Sequence, residues 1–334
     1  MVPAHQTVLE VRDLCVEFRA DGRIARAVDG VSWSVPRGRT LAVVGESGCG
    51  KSATALAVMR LLPTPPARVV RGSVLLRYDE QAKPLDLLAA GEAALRRIRG
   101  RRMGMIFQDP MTALNPVLTV GHQIGEVLAV HLGLRRREAR DAVTELLARV
   151  GMTPPAERAA AYPHQLSGGM RQRVMIAMAV ACRPAVLIAD EPSTALDVTI
   201  QAQILDLLLA MQAETGMSMA LVTHDLGVVA EVADEVCVMY AGRIVERAPV
   251  RSLLGHPLHP YTQALLRCVP RLTDEPTRFE PLPGRVPHPA RLPTGCRFHP
   301  RCPRAVPQCS RPEGDPPLRE LRLGHHVACG EVRD

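Results

Sequence analysis

Eight residues carry the most specific chemistry in the chain: Gly45-Glu46-Ser47-Gly48-Cys49-Gly50-Lys51-Ser52. A glycine, four variable residues and then Gly-Lys-Ser is the spacing of a phosphate-binding loop. In such a loop main-chain N–H groups surround phosphate oxygens, the Lys51 ammonium reaches the terminal phosphates, and the Ser52 hydroxyl ligates Mg²⁺. The glycines let the backbone curl with no Cβ in the way. The flanks agree with this, because an apolar β-type run at residues 40–44 precedes the loop and a helix-forming stretch at 53–62 comes after it. A strand feeding a glycine turn into a helix N-terminus makes an anion site from unpaired N–H groups and the positive end of the helix dipole. The expectation is a nucleoside triphosphate site.

A second chemical element is Ala185-Val186-Leu187-Ile188-Ala189-Asp190-Glu191. A buried strand ending in two acids presents carboxylates at the carboxyl edge of a parallel sheet, where ligands of α/β proteins sit. Asp190 is expected to hold Mg²⁺ and Glu191 to polarise an attacking water. A third is Leu166-Ser167-Gly168-Gly169, a serine and two glycines that open a helix and so form another anion site. One domain has no need of two sites for the same terminal phosphate. The second is therefore expected to serve a nucleotide held by another subunit.

The elements that must position these residues can be read from periodicity. Residues 8–35 alternate in short β-type runs with a turn at Asp21-Gly22, and 69–78 and 103–107 read as further strands. Helical spacing covers 120–132 and 136–150, and Gly151 with Pro154-Pro155 supplies the stop. Helix at 169–182, strand at 185–189, helix at 200–215 and strand at 217–223 then alternate, which implies an α/β core with a mostly parallel sheet. From about residue 253 prolines crowd together and periodicity fades. The expected division is a nucleotide-binding unit over 1–250, with a helical subdomain at about 115–180, and an irregular extension over 251–334.

Composition narrows the class. At 334 residues, with 47% hydrophobic and 22% charged, the chain reads as soluble and globular. Its longest apolar stretch, 174–189, is broken by Arg183-Pro184 and falls short of the ~20 residues of a membrane span. The start Met1-Val2-Pro3-Ala4-His5-Gln6 lacks a basic segment leading into an apolar one, so a cytoplasmic protein is expected. The net charge of +7 suits an anionic surface, but it is equally met by ordinary arginine-rich solvated faces. With aromatic residues at 3% there is no stacking platform for single-stranded nucleic acid.

The Leu-Ser-Gly-Gly at 166–169, taken with the glycine loop, resembles the ATP-binding cassette (ABC) family, in which it is the signature motif. The resemblance implies two cassettes docked head to tail, with ATP between the loop of one and the signature of the other. It implies further roles residue by residue. Gln108 matches the glutamine that senses Mg²⁺ and the γ-phosphate, and Ser193-Thr194-Ala195-Leu196-Asp197 resembles the loop that crosses the dimer interface. His224 matches the switch histidine, and Phe18 the aromatic that stacks on adenine. Cys49, at the helix start, is read either as a dipole-favoured thiolate or as a small residue tolerated where relatives carry serine.

The tail resembles one branch of that family. His256-Pro257-Leu258-His259-Pro260-Tyr261 is similar to the His-Pro-Tyr motif of oligopeptide and dipeptide importer ATPases, and Gly295-Cys296-Arg297-Phe298-His299-Pro300-Arg301-Cys302 continues the likeness. The segments at 108–116 and 168–178 favour the "D" subunit over its "F" partner. This implies a second homologous ATPase, two permeases touching residues 108–120, an extracytoplasmic solute-binding protein, and a peripheral place on the cytoplasmic face of the membrane. Cys296, Cys302, Cys309 and Cys329 lack the paired spacing of a zinc ribbon. Four thiolates suit a cluster as well as zinc, and the unliganded state stays open too. The resemblance implies a [4Fe–4S] cluster, with His299, His325 and His326 as second-choice ligands. The transported solute is not written in these residues, since an ATPase does not touch it. A non-transport ABC ATPase acting on nucleic acid is the alternative.

Overall fold

The computed structural model describes residues 7–20, 22–79, 83–193, 197–268 and 282–332. The N-terminal alternation folds into two long antiparallel strands, β1 (Thr7–Ala20) and β2 (Arg23–Pro36), not the several short runs the pattern suggested. Register shifts between Val11 and Leu14 and between Val16 and Glu17 explain the difference. A bulge inserts a residue and resets the in–out alternation, so one strand reads as two pieces. Of the expected turn, Gly22 is described with φ +71, and Asp21 lies outside the described residues.

The apolar strand β3 (Thr40–Val44) runs into the glycine loop and then into helix α1 (Lys51–Val58). Next come β4 (Ala67–Leu76) and β5 (Leu85–Asp86), which complete a four-stranded sheet in the order β2-β1-β4-β5. Helix α2 (Glu92–Ile98), strand β6 (Met103–Ile106) and the short α3 (Pro110–Ala113) lead into a helical insert. The insert holds α4 (Val120–Leu132), α5 (Arg136–Arg149), α6 (Pro155–Ala160) and α7 (Gly168–Val180). Thr119 caps α4, accepting from the His122 N–H, and Gly133 closes it in the left-handed conformation. Both ends thus carry ordinary start and stop chemistry, although the sequence reading of this helix rests on its apolar spacing alone.

The second sheet is built by β7 (Val186–Asp190), α8 (Val198–Thr215), β8 (Ser218–Thr223), α9 (Leu226–Val232), β9 (Glu235–Tyr240) and β10 (Arg243–Pro249). Helices α10 (Val250–Gly255) and α11 (Pro260–Arg267) come next, and the chain ends on the hairpin β11 (Arg319–Arg322) and β12 (His325–Val327). The sheet order is β11-β12-β10-β9-β3-β8-β7-β6, parallel from β6 to β9. The hairpin pairs onto β10 and extends the nucleotide-binding sheet. It is short and polar, so no apolar alternation announces it.

Side-chain alternation in the central strands distributes the core over three clusters. Leu41 and Val43 of β3 face the cluster shared with β1, β2 and α1. Ala42 and Val44, on the other face, pack with Val236, Val238 and Tyr240 of β9 and with Tyr261 and Phe298 of the extension. Leu187 and Ala189 face the helical insert. The extension therefore shares a core with the strand that carries the glycine loop. It is also docked by buried charge, since Arg297 donates to Asp29 of β2, and Arg243 of β10 donates to both Asp29 and Asp315. Burial alone would raise the Asp29 carboxyl, but Arg297 and Arg243 outweigh it and hold the group below its ordinary value.

Candidate functional site

The parallel register sets the site. Val44 lies opposite Thr223, Asp190 opposite Val222, and Ile106 opposite Ala189. The carboxyl ends of β6, β7, β8 and β3 are thus level, and the segments leaving these four strands meet at one edge. The glycine loop leaves β3, Glu191 leaves β7, His224 leaves β8, and Gln108 stands two residues beyond β6.

Loop geometry matches phosphate binding. Gly50 has φ +107, and a Cβ there would lie 2.3 Å from the Ala27 carbonyl oxygen. At Gly45 it would lie 2.2 Å from that of Met239. Only glycine lets β2 and β9 close on the loop this tightly. No side chain caps α1 and no acid stands in its first turn, so its first N–H groups are left for a bound anion. The Lys51 ammonium is folded over the loop and donates to the Gly45 carbonyl at 2.7 Å and the Glu46 carbonyl at 3.1 Å.

The acids behave differently from each other. Asp190 is 3% exposed and accepts from the Ser52 hydroxyl at 3.1 Å. Burial first, and the Glu191 charge in addition, push its carboxyl up to about 6 against the hydrogen bond from Ser52 and the charge of Lys51. A buried carboxylate beside a hydroxyl is a hard-oxygen pair suited to Mg²⁺. Glu191 has φ +48, a left-handed backbone for a residue with a Cβ, and its N–H is tied to the Val222 carbonyl at 2.8 Å. Its carboxylate accepts from Gln108 Nε2 at 3.0 Å and faces His224 Nδ1 at 3.2 Å. The structure thus brings Gln108, Glu191 and His224 into direct contact, and Ser52 with Asp190.

Other expected residues stand apart from this group. Ser167 caps α7 by accepting from the Met170 N–H at 3.4 Å, and a Cβ on Gly169 would meet Ile200 at 3.0 Å. These signature residues therefore contact α7 and α8. Of the loop at 193–197, residues 194–196 lie outside the described residues, while Asp197 caps α8 through the Ile200 N–H. Phe18, paired with Ala25 and Ala67, lines an open cleft of about 800 Å³ with Arg23, His288, Ala290 and Arg291. The last three belong to the extension and carried no recognisable spacing.

The structure separates the two readings of Cys49. It is 1% exposed, and burial pushes its thiol up, outweighing the nearby Lys51 charge. The dipole-favoured thiolate is not formed here, and the small-residue reading fits.

The C-terminal cysteines are not drawn up as a metal-ligand set. Among the described residues no group of three or more His, Cys, Asp or Glu is set to hold a metal ion. Their segments touch and influence one another all the same. The Cys296 N–H donates to the Cys309 carbonyl at 2.9 Å. Burial pushes the Cys296 thiol up to about 11 and raises that of Cys302, and Cys309 and Cys329 add to both. The second-choice histidines do not gather around the thiols either. His325 pairs with buried Glu246 at 2.7 Å, and His299 Nδ1 meets the Cys296 carbonyl at 2.9 Å. His326 Nδ1 is buried without a partner.

Comparison with known proteins gives two family matches. Residues 28–194 match the family described as ABC transporter, and residues 245–309 that described as oligopeptide/dipeptide transporter, C-terminal region. A peptide import ATP-binding protein of Brucella ovis is 52% identical over 332 residues, covering 98% of this chain and 97% of the relative. A peptide ABC transporter ATP-binding protein of Sinorhizobium fredii is 48% identical over 328 residues, covering 98% and 96%. Among solved structures, a dimeric ATP-binding cassette in a post-hydrolysis state with ADP and Pi has a TM-score of 0.64 at 26% identity, covering 73% of this chain and 99% of that one. A Clostridium perfringens protein that is part of an ABC transporter complex has a TM-score of 0.61 at 29% identity, covering 75% and 92%.

Proposed function

The chain belongs to the ABC transporter family, in the branch with the oligopeptide/dipeptide C-terminal region, and we propose that it is the "D"-type ATP-hydrolysing subunit of a peptide importer. The observation that carries this is one sheet edge holding a phosphate loop, a buried Ser52–Asp190 pair and the Gln108–Glu191–His224 contact, in a chain with that C-terminal region. Relatives of nearly the same length are named for peptide import or as peptide ABC transporter subunits. The nucleic-acid alternative has nothing comparable in its favour.

ATP would lie with its phosphates on the loop amides and Lys51, and its base in the Phe18 cleft. Ser52 and Asp190 would hold Mg²⁺, which supplies charge neutralisation at the phosphates. Glu191 would take the proton of the attacking water, while Gln108 and His224 orient its carboxylate. Ser167, Gly168 and Gly169 would close on ATP held by a second, homologous cassette, as in a heterodimer. The permeases would dock beside residues 108–120, where Phe107, Met111 and Val117 are exposed, Val117 to 74%. Among the described residues no helix is long and apolar enough to cross a membrane, so attachment to the cytoplasmic face of the inner membrane would run through those permeases. The solute-binding protein would act from the far side.

Uptake of labelled di-, tri- and longer peptides in cells carrying Glu191→Gln at the native locus tests the importer. Loss of one length class is the expected result. Unchanged uptake of every class would remove the peptide reading.

The four thiols belong to the same proposal. As thiolates they repel one another in a half-buried lobe, and a cationic iron–sulfur core would relieve that repulsion. They do not stand as a ligand set now, so a cluster would have to draw them together. Protein purified without oxygen should carry about four iron atoms per chain with matching sulfide, and lose both in Cys296→Ser. Zinc instead, or no metal at all, would show that the lobe serves another end.

A further inference from the structure

The C-terminal extension reaches the phosphate loop itself. The Arg301 guanidinium forms a two-pronged ion pair with the Glu46 carboxylate, Nη1 to Oε2 at 2.6 Å and Nη2 to Oε1 at 3.0 Å. Its side chain is 5% exposed. It is fixed from behind by the Pro283 carbonyl at 2.8 Å and lies over the Tyr240 ring at 5.8 Å. The Glu46 N–H donates to the Tyr261 hydroxyl at 2.9 Å. Tyr261 is wholly buried and packs with Tyr240 and Phe298 at ring distances of 4.6 and 5.4 Å. In a chain with four tyrosines and four phenylalanines, two and one of them meet under this single loop residue.

Both contacts bear on an anion entering the loop. Glu46 puts an acidic side chain on the phosphate loop itself, and Arg301 neutralises it in a partly desolvated setting where such pairs act strongly. The Glu46 amide, turned to Tyr261, is withdrawn from the phosphate cradle, which leaves the N–H groups toward Lys51 and Ser52 to form it. We propose that Arg301 and Tyr261 of the extension are positioning residues for ATP, acting through Glu46 to hold the phosphate loop open to the triphosphate and to cancel its acidic charge. This rests on the nucleotide site described above, and it gives the extension a part in the ATPase reaction. The extension then cannot undock without altering nucleotide affinity.

The test is ATP binding and steady-state hydrolysis by the full chain and its variants. Arg301→Ala should raise the Kd and KM for Mg–ATP about tenfold with kcat within about twofold, since the reacting groups are untouched. Arg301→Lys should fall between, keeping the charge and losing the second prong. Adding Glu46→Gln to Arg301→Ala should recover part of the affinity, because the uncompensated carboxylate is gone. Added salt should narrow the gap between Arg301→Ala and wild type by screening that carboxylate. A merely structural role predicts a lower kcat and melting temperature with no recovery from Glu46→Gln, and that result overturns the proposal. Wild-type affinity in Arg301→Ala overturns it as well. A wild-type chain that binds no ATP sinks the nucleotide-site reading itself, and this inference with it.

Discussion

Glutamine in place of Glu191 should leave ATP bound and slow its hydrolysis by about 10²- to 10⁴-fold, the range a general base contributes. The substitution is isosteric, so Gln108 and His224 keep their neighbour. What is lost is the basic oxygen. Glu191 occupies a left-handed backbone at φ +48, which costs on the order of 1 kcal/mol for a residue with a Cβ. The Val222 carbonyl and the two side-chain contacts hold it there. That strain aims the carboxylate past the end of β7, where the terminal phosphate on the loop would meet it. Single-turnover hydrolysis and nucleotide binding, measured together, check the expectation. A variant hydrolysing within a few-fold of wild type would move the base elsewhere.

Asp190→Asn should have two opposite effects. Mg²⁺-dependent hydrolysis should be lost, while the nucleotide-free protein in chelator becomes more stable by up to about 3 kcal/mol at pH 8. Burial sets the sign. The folded carboxyl titrates at about 6, above its ordinary 3.8, so the native state binds the proton more tightly than the unfolded chain does. The penalty for ionising Asp190 is absent below the unfolded value, grows between the two, and is fully present above about pH 6. Denaturant unfolding at pH 4.5 and pH 8 should therefore show a small gain for the asparagine variant at the lower pH and its full gain at the higher. An equal gain at both would mean that Asp190 is not charged at a cost. A site built to hold a cation stores instability when the cation is away.

Local chemistry was the most legible part of this protein. The strand–loop–helix around Lys51, the acids closing β7, and the periodic helices α4 and α5 each lie within a short window of sequence. Spacing there maps directly onto geometry: most observed bounds differ from the expected ones by a residue or two, while α1 ends four residues before the expected 62. The long β1 and β2 were less legible because bulges interrupt their period, and the hairpin β11–β12 was not legible because it is polar and short.

The sequence by itself determined the family and the parallel sheet, and it named the residues proposed to touch ATP, since each is written in contiguous motifs whose backbone demands are strict. Tertiary structure alone decided that Cys49 is buried, with burial raising its thiol, and that among the described residues the four C-terminal cysteines do not gather as a ligand set. It alone brought Arg301 onto Glu46 across 255 positions of chain. Burial and long-range pairing depend on how separate elements pack, and no periodicity or spacing within one element carries that information.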